Sequence, residues 1–141
     1  MNYNKIYDKI ISSAKNRGII FEYTELHHII PKCMGGNDLD DNLVRLTAKE
    51  HFVCHHLLTK MYPENSGLHY AFWSMCNQKS LGRDYKISSK IYSIAKENHS
   101  KHMSELLSGI PLTEEVKQKL RKPKSNTKNM KKPKSKSHKI N

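Results

Sequence analysis

Four histidines within twenty-nine residues hold the chain's clearest chemical potential: the adjacent pair His27 and His28, and the spaced pair His51 and His55. Neighbours on an extended segment point to opposite sides, whereas residues four apart on a helix share a face. One histidine of the first pair can therefore join His51 and His55 around a divalent cation while the other stays unliganded. A cation beside a free imidazole suits a hydrolytic site, because something must take a proton from the attacking water. Taken alone, His-x-x-x-His also describes two solvated histidines on a surface helix, so the case rests on the elements that hold the four residues.

Those elements can be read from the residues around them. Ile19 to Ile30 is rich in β-branched and aromatic types and runs into Pro31, which predicts a strand with the histidine pair near its end. Lys32 to Asp41 contains Gly35-Gly36 and three aspartates around Asn37, a composition that reverses the chain. Asn42 to Leu46 predicts a short return strand. Thr47 and Glu50 have capping-box spacing, so a helix starts there and carries His51 and His55 in its first two turns, with Pro63 closing the unit.

Helices are expected on both sides of this unit. Tyr3, Ile6, Tyr7, Ile10, Ile11 and Ala14 recur at helical spacing and stop at Asn16-Arg17-Gly18. Leu68, Phe72 and Met75 mark a short helix; Ile87, Ile91, Ile94, Asn98 and Met103 to Leu107 mark a longer one ending before Gly109. Thr113 to Leu120 predicts a last short helix with Thr113 and Glu114-Glu115 at its start. Tyr70, Phe72 and Trp73 are read as core packing in preference to a surface for stacking on bases.

Charge divides the chain. Of its 25 Lys and Arg, eleven fall between Lys117 and Asn141, where there is no Asp or Glu; the first 116 residues hold 14 basic against 13 acidic groups. A block of this kind is a solvated arm, expected to be disordered alone and suited to a phosphate backbone, its plainer alternative being a solubilising end. Cys33, Cys54 and Cys76 are odd in number and form no CxxC pair, which favours a reducing compartment over a disulfide scaffold. The N-terminus MNYNKIYDKI lacks the apolar run of a signal peptide, and no eighteen-residue apolar stretch is present, so no membrane role is expected.

The segment from Glu25 to His56, ELHHIIPKCMGGNDLDDNLVRLTAKEHFVCHH, closely resembles the HNH endonuclease motif, a hairpin-plus-helix core known as the ββα-metal fold. More narrowly it resembles the phage homing or free-standing mobile endonucleases. Residues His99 to Lys124 are similar to the short DNA-binding repeats that such nucleases carry after their catalytic core. The resemblance implies His28 as general base, His27 as a metal ligand and His51 and His55 as further ligands. Asn42 matches the middle letter of the motif, which in some members binds the metal and in others braces the hairpin loop. Cys54, three residues after His51, is either a fourth ligand or a free buried thiol, and His56 lies off the ligand face and receives no role.

The expectation is therefore an α+β chain, mostly helical, with a ββα-metal core flanked by helices. Residues 1–65 would hold the first helix and the nuclease core, 66–108 a helical extension and 109–141 a basic tail. The implied function is metal-dependent hydrolysis of DNA phosphodiester bonds in a phage-infected bacterial cytoplasm, leaving 5′-phosphate and 3′-hydroxyl ends. Double-stranded DNA would be the partner, with Lys117, Lys119, Arg121, Lys122 and Lys124 as contacts and a dimer as one route to a double-strand cut. Mg²⁺ is the expected cellular cation; imidazole ligands prefer zinc, nickel or copper over magnesium, and Zn²⁺, Ni²⁺ and Mn²⁺ are further ions that the site would accept. The rival reading is a non-catalytic DNA-binding protein in which the histidines hold a structural zinc.

Overall fold

The computed structural model describes residues 1–18, 23–78, 83 and 85–121. The chain divides into two compact units, Met1–Ser108 and Gly109–Asn141. Helix α1 spans Tyr3–Lys15 and opens on Asn2, whose side-chain oxygen accepts the Lys5 amide at 3.0 Å. Tyr7, Ile11 and Ala14, spaced by four and three, form its buried stripe.

That stripe packs over a two-stranded antiparallel hairpin, β1 (Thr24–His28) and β2 (Leu43–Thr47). The register pairs Glu25 with Leu46, Leu26 with Arg45 and His27 with Val44. Side chains alternate across a strand, so Glu25 and His27 turn inward with Leu46 and Val44 while Leu26 is exposed. The strand predicted from Ile19 is shorter than expected at its far end. Beyond His28 the ladder gives way to Asn42, whose carbonyl accepts the Ile29 amide at 2.9 Å and whose carboxamide replaces the ladder at Ile30. The expected residues 19–22 lie outside the described residues. Asn42, whose side chain is spent on Ile30, belongs to a 3₁₀ turn, Asp40–Asn42, and β2 begins one residue later than predicted.

A second 3₁₀ turn, Lys32–Met34, starts the loop. It ends at Gly35 with φ 87°, a left-handed conformation that favours glycine. At Gly36 a Cβ would lie 1.7 Å from the Ile30 carbonyl oxygen, so no side chain fits where the loop folds back on the strand end.

Helix α2, Ala48–Met61, follows β2 without a linker because Thr47 is both the last strand residue and the N-cap. The capping box is complete: Thr47 Oγ1 accepts the Glu50 amide at 3.3 Å, and Glu50 Oε2 accepts the Thr47 amide at 2.9 Å. This box fixes the rotation of α2 one residue before His51. Cys54, Leu57 and Leu58 join Tyr7, Ile11, Val44, Leu46 and Leu68 in the first core cluster.

Helix α3, Ser66–Asn77, is capped by Asn65, and helix α4, Ser89–Leu107, by Ser88. Phe52, Phe72, Met75 and Ala95 make a second core cluster between α2, α3 and α4. The predicted aromatic group does not act as one: Phe72 is buried at 2% exposure, Trp73 is half-buried, and Tyr70 is 59% exposed. Successive positions on a helix face different ways, and only the Phe72 direction meets α2. In the second unit, α5 spans Glu114–Arg121, with Thr113 Oγ1 accepting the Val116 amide at 3.4 Å. Among the described residues no helix is long and apolar enough to cross a membrane.

Candidate metal centre

His27, His51 and His55 converge, each offering a nitrogen within 4.8 Å of the others'. Their rings meet edge to face, with centroids 5.1 Å apart for His27 and His51, 5.3 Å for His27 and His55, and 4.8 Å for His51 and His55. The strand alternation that turns His27 inward and the helical repeat that stacks His51 under His55 produce this meeting. Their neighbour His28 lies on the opposite face of β1. It nevertheless lines the same cleft as the three, a cavity of about 270 Å³ walled by the Pro31–Cys33 turn and by Gly67, Leu68 and Ala71 of α3.

Two of the three, His27 and His51, are oriented by a partner outside the trio. The Tyr7 hydroxyl donates to the Ile29 carbonyl at 2.8 Å, so its oxygen is free to accept from Nε2 of His27, 2.9 Å away. That leaves Nδ1 of His27 bare, and this buried nitrogen has no hydrogen-bond partner. Nδ1 of His51 donates to Glu25 at 2.6 Å, which puts its lone pair on Nε2. Nε2 of His55 lies 3.1 Å from that atom, near the roughly 3.3 Å that separates two nitrogens held about 2.0–2.1 Å from one tetrahedral zinc ion.

The electrostatics keep these rings neutral. Burial, aided by the neighbouring histidines, pushes His27 down to about 2 and His55 down to about 3. Burial also lowers His51, against the Glu25 carboxylate, which acts to raise it. Neutral imidazoles present lone pairs, the form a metal requires. The residues therefore fit a divalent cation: three convergent neutral nitrogen donors, one of them buried and unpartnered.

Glu25 holds the centre from behind. Burial acts to raise its carboxyl, but hydrogen bonds from Arg83, His51 and Tyr23 outweigh it and hold the group at about 2. Arg83 supplies Nε at 2.6 Å and a second guanidinium nitrogen at 3.0 Å. Sequence reading passed over Glu25, Arg83 and Tyr7. Glu25 carries one signal, its position two residues before His27 on the same strand face; Arg83 and Tyr7 carry none, since both meet the site across long stretches of chain.

The other predicted site residues fall as follows. His28 Nε2 lies 2.7 Å from Asp38 Oδ1, and Lys32 Nζ reaches the same oxygen at 2.8 Å. Asn42 spends its carboxamide on the loop: Oδ1 accepts the Ile30 amide at 2.8 Å, and Nδ2 donates to the Ile30 and Asn37 carbonyls at 3.0 and 2.8 Å. Cys54 is fully buried in the first core cluster, where burial pushes its thiol up to about 12, and it takes no place among the three histidines. His56 stacks on Phe72, rings 4.9 Å apart. In the second unit Lys117 pairs with Glu114 and Lys119 with Glu115, both at 2.7 Å, and Arg121 ends α5. Lys122 and Lys124 lie outside the described residues.

The chain is similar to phage proteins. It is 48% identical over 123 residues to a protein of Enterobacteria phage T4 named "Probable mobile endonuclease E", a match covering 86% of this chain and 84% of that protein. It is 49% identical over 107 residues to "Probable mobile endonuclease D" and 45% identical over 100 residues to "Probable mobile endonuclease C" of the same phage, matches covering 72% and 68% of this chain. It spans only 41% and 44% of those two longer proteins. No family model matches the chain. No solved structure matches it.

Proposed function

This chain belongs to the family of phage mobile endonucleases, and from that premise we propose that it hydrolyses phosphodiester bonds of double-stranded DNA by metal-dependent HNH chemistry. The observation that carries this reading is the convergence of His27, His51 and His55 in one cleft with His28, in a hairpin-plus-helix unit. His27, through its unpartnered Nδ1, with His51 and His55, would hold the cation. When bound, it supplies neutralisation of charge growing on the scissile phosphate and the leaving 3′ oxygen.

The remaining chemistry belongs to the chain's own side chains. His28 takes the proton of the attacking water, a contribution typically worth about 10² to 10⁴ in rate. Tyr7 and Glu25 fix the tautomers of His27 and His51, so both present a lone pair without rearrangement. Asn42 is structural: both polar atoms of its carboxamide brace the loop, Oδ1 accepting the Ile30 amide and Nδ2 donating to the Ile30 and Asn37 carbonyls. Residues 1–65 supply the nuclease core and 66–108 a helical extension, from which Arg83 reaches Glu25. Lys117, Lys119, Arg121, Lys122 and Lys124 of the basic segment 109–141 contact the DNA backbone. Mg²⁺ is the working cation in a bacterial cytoplasm rich in it, with tighter binding of Zn²⁺ or Ni²⁺.

The test is incubation of the purified protein with supercoiled plasmid and Mg²⁺, with and without EDTA. Conversion to nicked or linear plasmid that EDTA abolishes is expected. DNA binding without conversion in any divalent metal would instead support a structural zinc protein.

A further inference from the structure

We propose that Asp38 is the positioning residue for His28: its carboxylate holds the Nε2 proton, so that Nδ1 faces the cleft as the atom that accepts the proton from water. This rests on the reading of His28 as the base.

The geometry is specific. His28 Nε2 and Asp38 Oδ1 are 2.7 Å apart, within the range of a charge-assisted hydrogen bond. An ionised carboxylate only accepts, so Nε2 is the protonated nitrogen, and in the neutral ring Nδ1 holds the lone pair. The hydrogen bonds from His28 and Lys32 hold the Asp38 carboxyl below its ordinary range, which keeps it in that accepting form. Lys32 and Asp38 are both exposed. The Lys32–Asp38 pair therefore adds little stability, and what the Asp38 carboxylate contributes is the direction that its hydrogen bond imposes on the His28 ring.

The loop is built to hold Asp38 still. Its neighbour Asn37 is tied twice: the Asn37 carbonyl accepts from Asn42 Nδ2 at 2.8 Å, and Asn37 Oδ1 accepts the Leu39 amide at 3.1 Å. One residue further back, Gly36 lies against the Ile30 carbonyl with no room to spare, and its own amide donates to the Pro31 carbonyl at 3.1 Å. Asp38 thus directly follows two residues, Gly36 and Asn37, that are fastened to the chain just beyond His28, and on its other side the Leu39 amide is held by Asn37 Oδ1. A second effect follows from charge. When Nδ1 takes the water proton, His28 becomes an imidazolium whose Nε2–H still donates to Asp38, and the carboxylate balances the new positive charge. Lys32, on the same oxygen, tempers that effect without replacing the acceptor.

The experiment compares wild type, Asp38→Ala, Asp38→Asn and His28→Ala in the full chain. Three quantities are read: single-turnover DNA cleavage at saturating DNA and Mg²⁺, Zn²⁺ affinity, and the His28 imidazole ¹⁵N and Nε2–H resonances in the metal-free protein. Asp38→Ala is expected to lose about 10- to 100-fold in rate and the downfield Nε2–H signal, with Zn²⁺ affinity unchanged within about twofold. Asp38→Asn, which keeps an acceptor oxygen but no charge, is expected to retain the signal and recover part of the rate. If Asp38→Ala cleaves at the wild-type rate while His28→Ala is inactive, the positioning role is wrong and the base stands. Wild-type cleavage by His28→Ala removes both. Loss of Zn²⁺ affinity in Asp38→Ala would also overturn the proposal, since Asp38 would then act on the metal centre.

Discussion

Arg83 grips the Glu25 carboxylate through two guanidinium nitrogens, at 2.6 and 3.0 Å, although 58 residues separate them. The same carboxylate accepts a hydrogen bond from Nδ1 of His51 at 2.6 Å. A residue beyond α3 is therefore two contacts from the candidate metal centre, and the segment after the hairpin-plus-helix unit helps complete it. A carboxylate behind a liganding histidine raises the basicity of the ring and fixes its orientation.

Breaking this relay should weaken metal binding before anything else. Glu25→Gln and Arg83→Ala are each expected to lower Zn²⁺ affinity about 10- to 100-fold, as judged by competition with a chelating indicator. Arg83→Ala leaves Glu25 buried with fewer donors, so its thermal stability also falls, by about 1–3 kcal/mol. Unchanged metal affinity in both variants would show that His51 needs no partner.

Tyr7→Phe removes one hydroxyl from the other side of the centre. Nε2 of His27 would lose its acceptor, and the ring would be free to put its proton on Nδ1 instead. Zn²⁺ affinity is expected to drop several-fold, with about 1 kcal/mol less stability in a denaturant titration. A variant that binds metal like its parent would separate Tyr7 from the centre.

Asn42→Ala should behave as a loop mutation. It removes the acceptor for the Ile30 amide and the donor to two carbonyls, at an expected cost of about 1–3 kcal/mol in thermal denaturation. Cleavage should fall with it, because that loop holds Asp38 against His28, while Zn²⁺ affinity changes little. Loss of metal affinity without loss of stability would make Asn42 a ligand.

Acid should destabilise the metal-free fold in a defined window. His27 and His55 titrate at about 2 and about 3 when folded, and His51 is also lowered, against an ordinary value of 6.5. Below about pH 6.5 the unfolded chain binds these protons and the folded chain does not, so stability is full above that pH and falls as the pH drops. Glu25, held at about 2 against 4.5, adds a loss of the same sign lower down. Denaturant midpoints in chelator should therefore be lower at about pH 5 than at about pH 7.5. A flat profile would mean that the three rings are solvated.

The parts of this arrangement that rest on short-range pattern were legible in the sequence. Alternation on β1, the Thr47–Glu50 capping box and the four-residue repeat of His51 and His55 together bring three histidines to one point. What supports them was not legible. Tyr7 reaches His27 across 20 residues and Arg83 reaches Glu25 across 58, and no local spacing encodes such meetings. Asp38 was visible only as turn composition, because its pairing with His28 depends on how Asn42 and Gly36 fold the loop back. Strand ends shifted for a similar reason: a side-chain amide took over where the backbone ladder was expected to continue. Tyr70, Phe72 and Trp73 were grouped by type, but their exposure is set by which helix face meets α2.

The most direct test of the central claim, that three histidines hold the cation and the fourth moves the proton, is cleavage and Zn²⁺ affinity measured side by side for His28→Ala and His51→Ala. The account predicts that His28→Ala binds Zn²⁺ within about twofold of wild type yet loses at least about 10²-fold in single-turnover cleavage, whereas His51→Ala loses the metal itself. Equal loss of Zn²⁺ in both variants, or wild-type cleavage by His28→Ala, would contradict it.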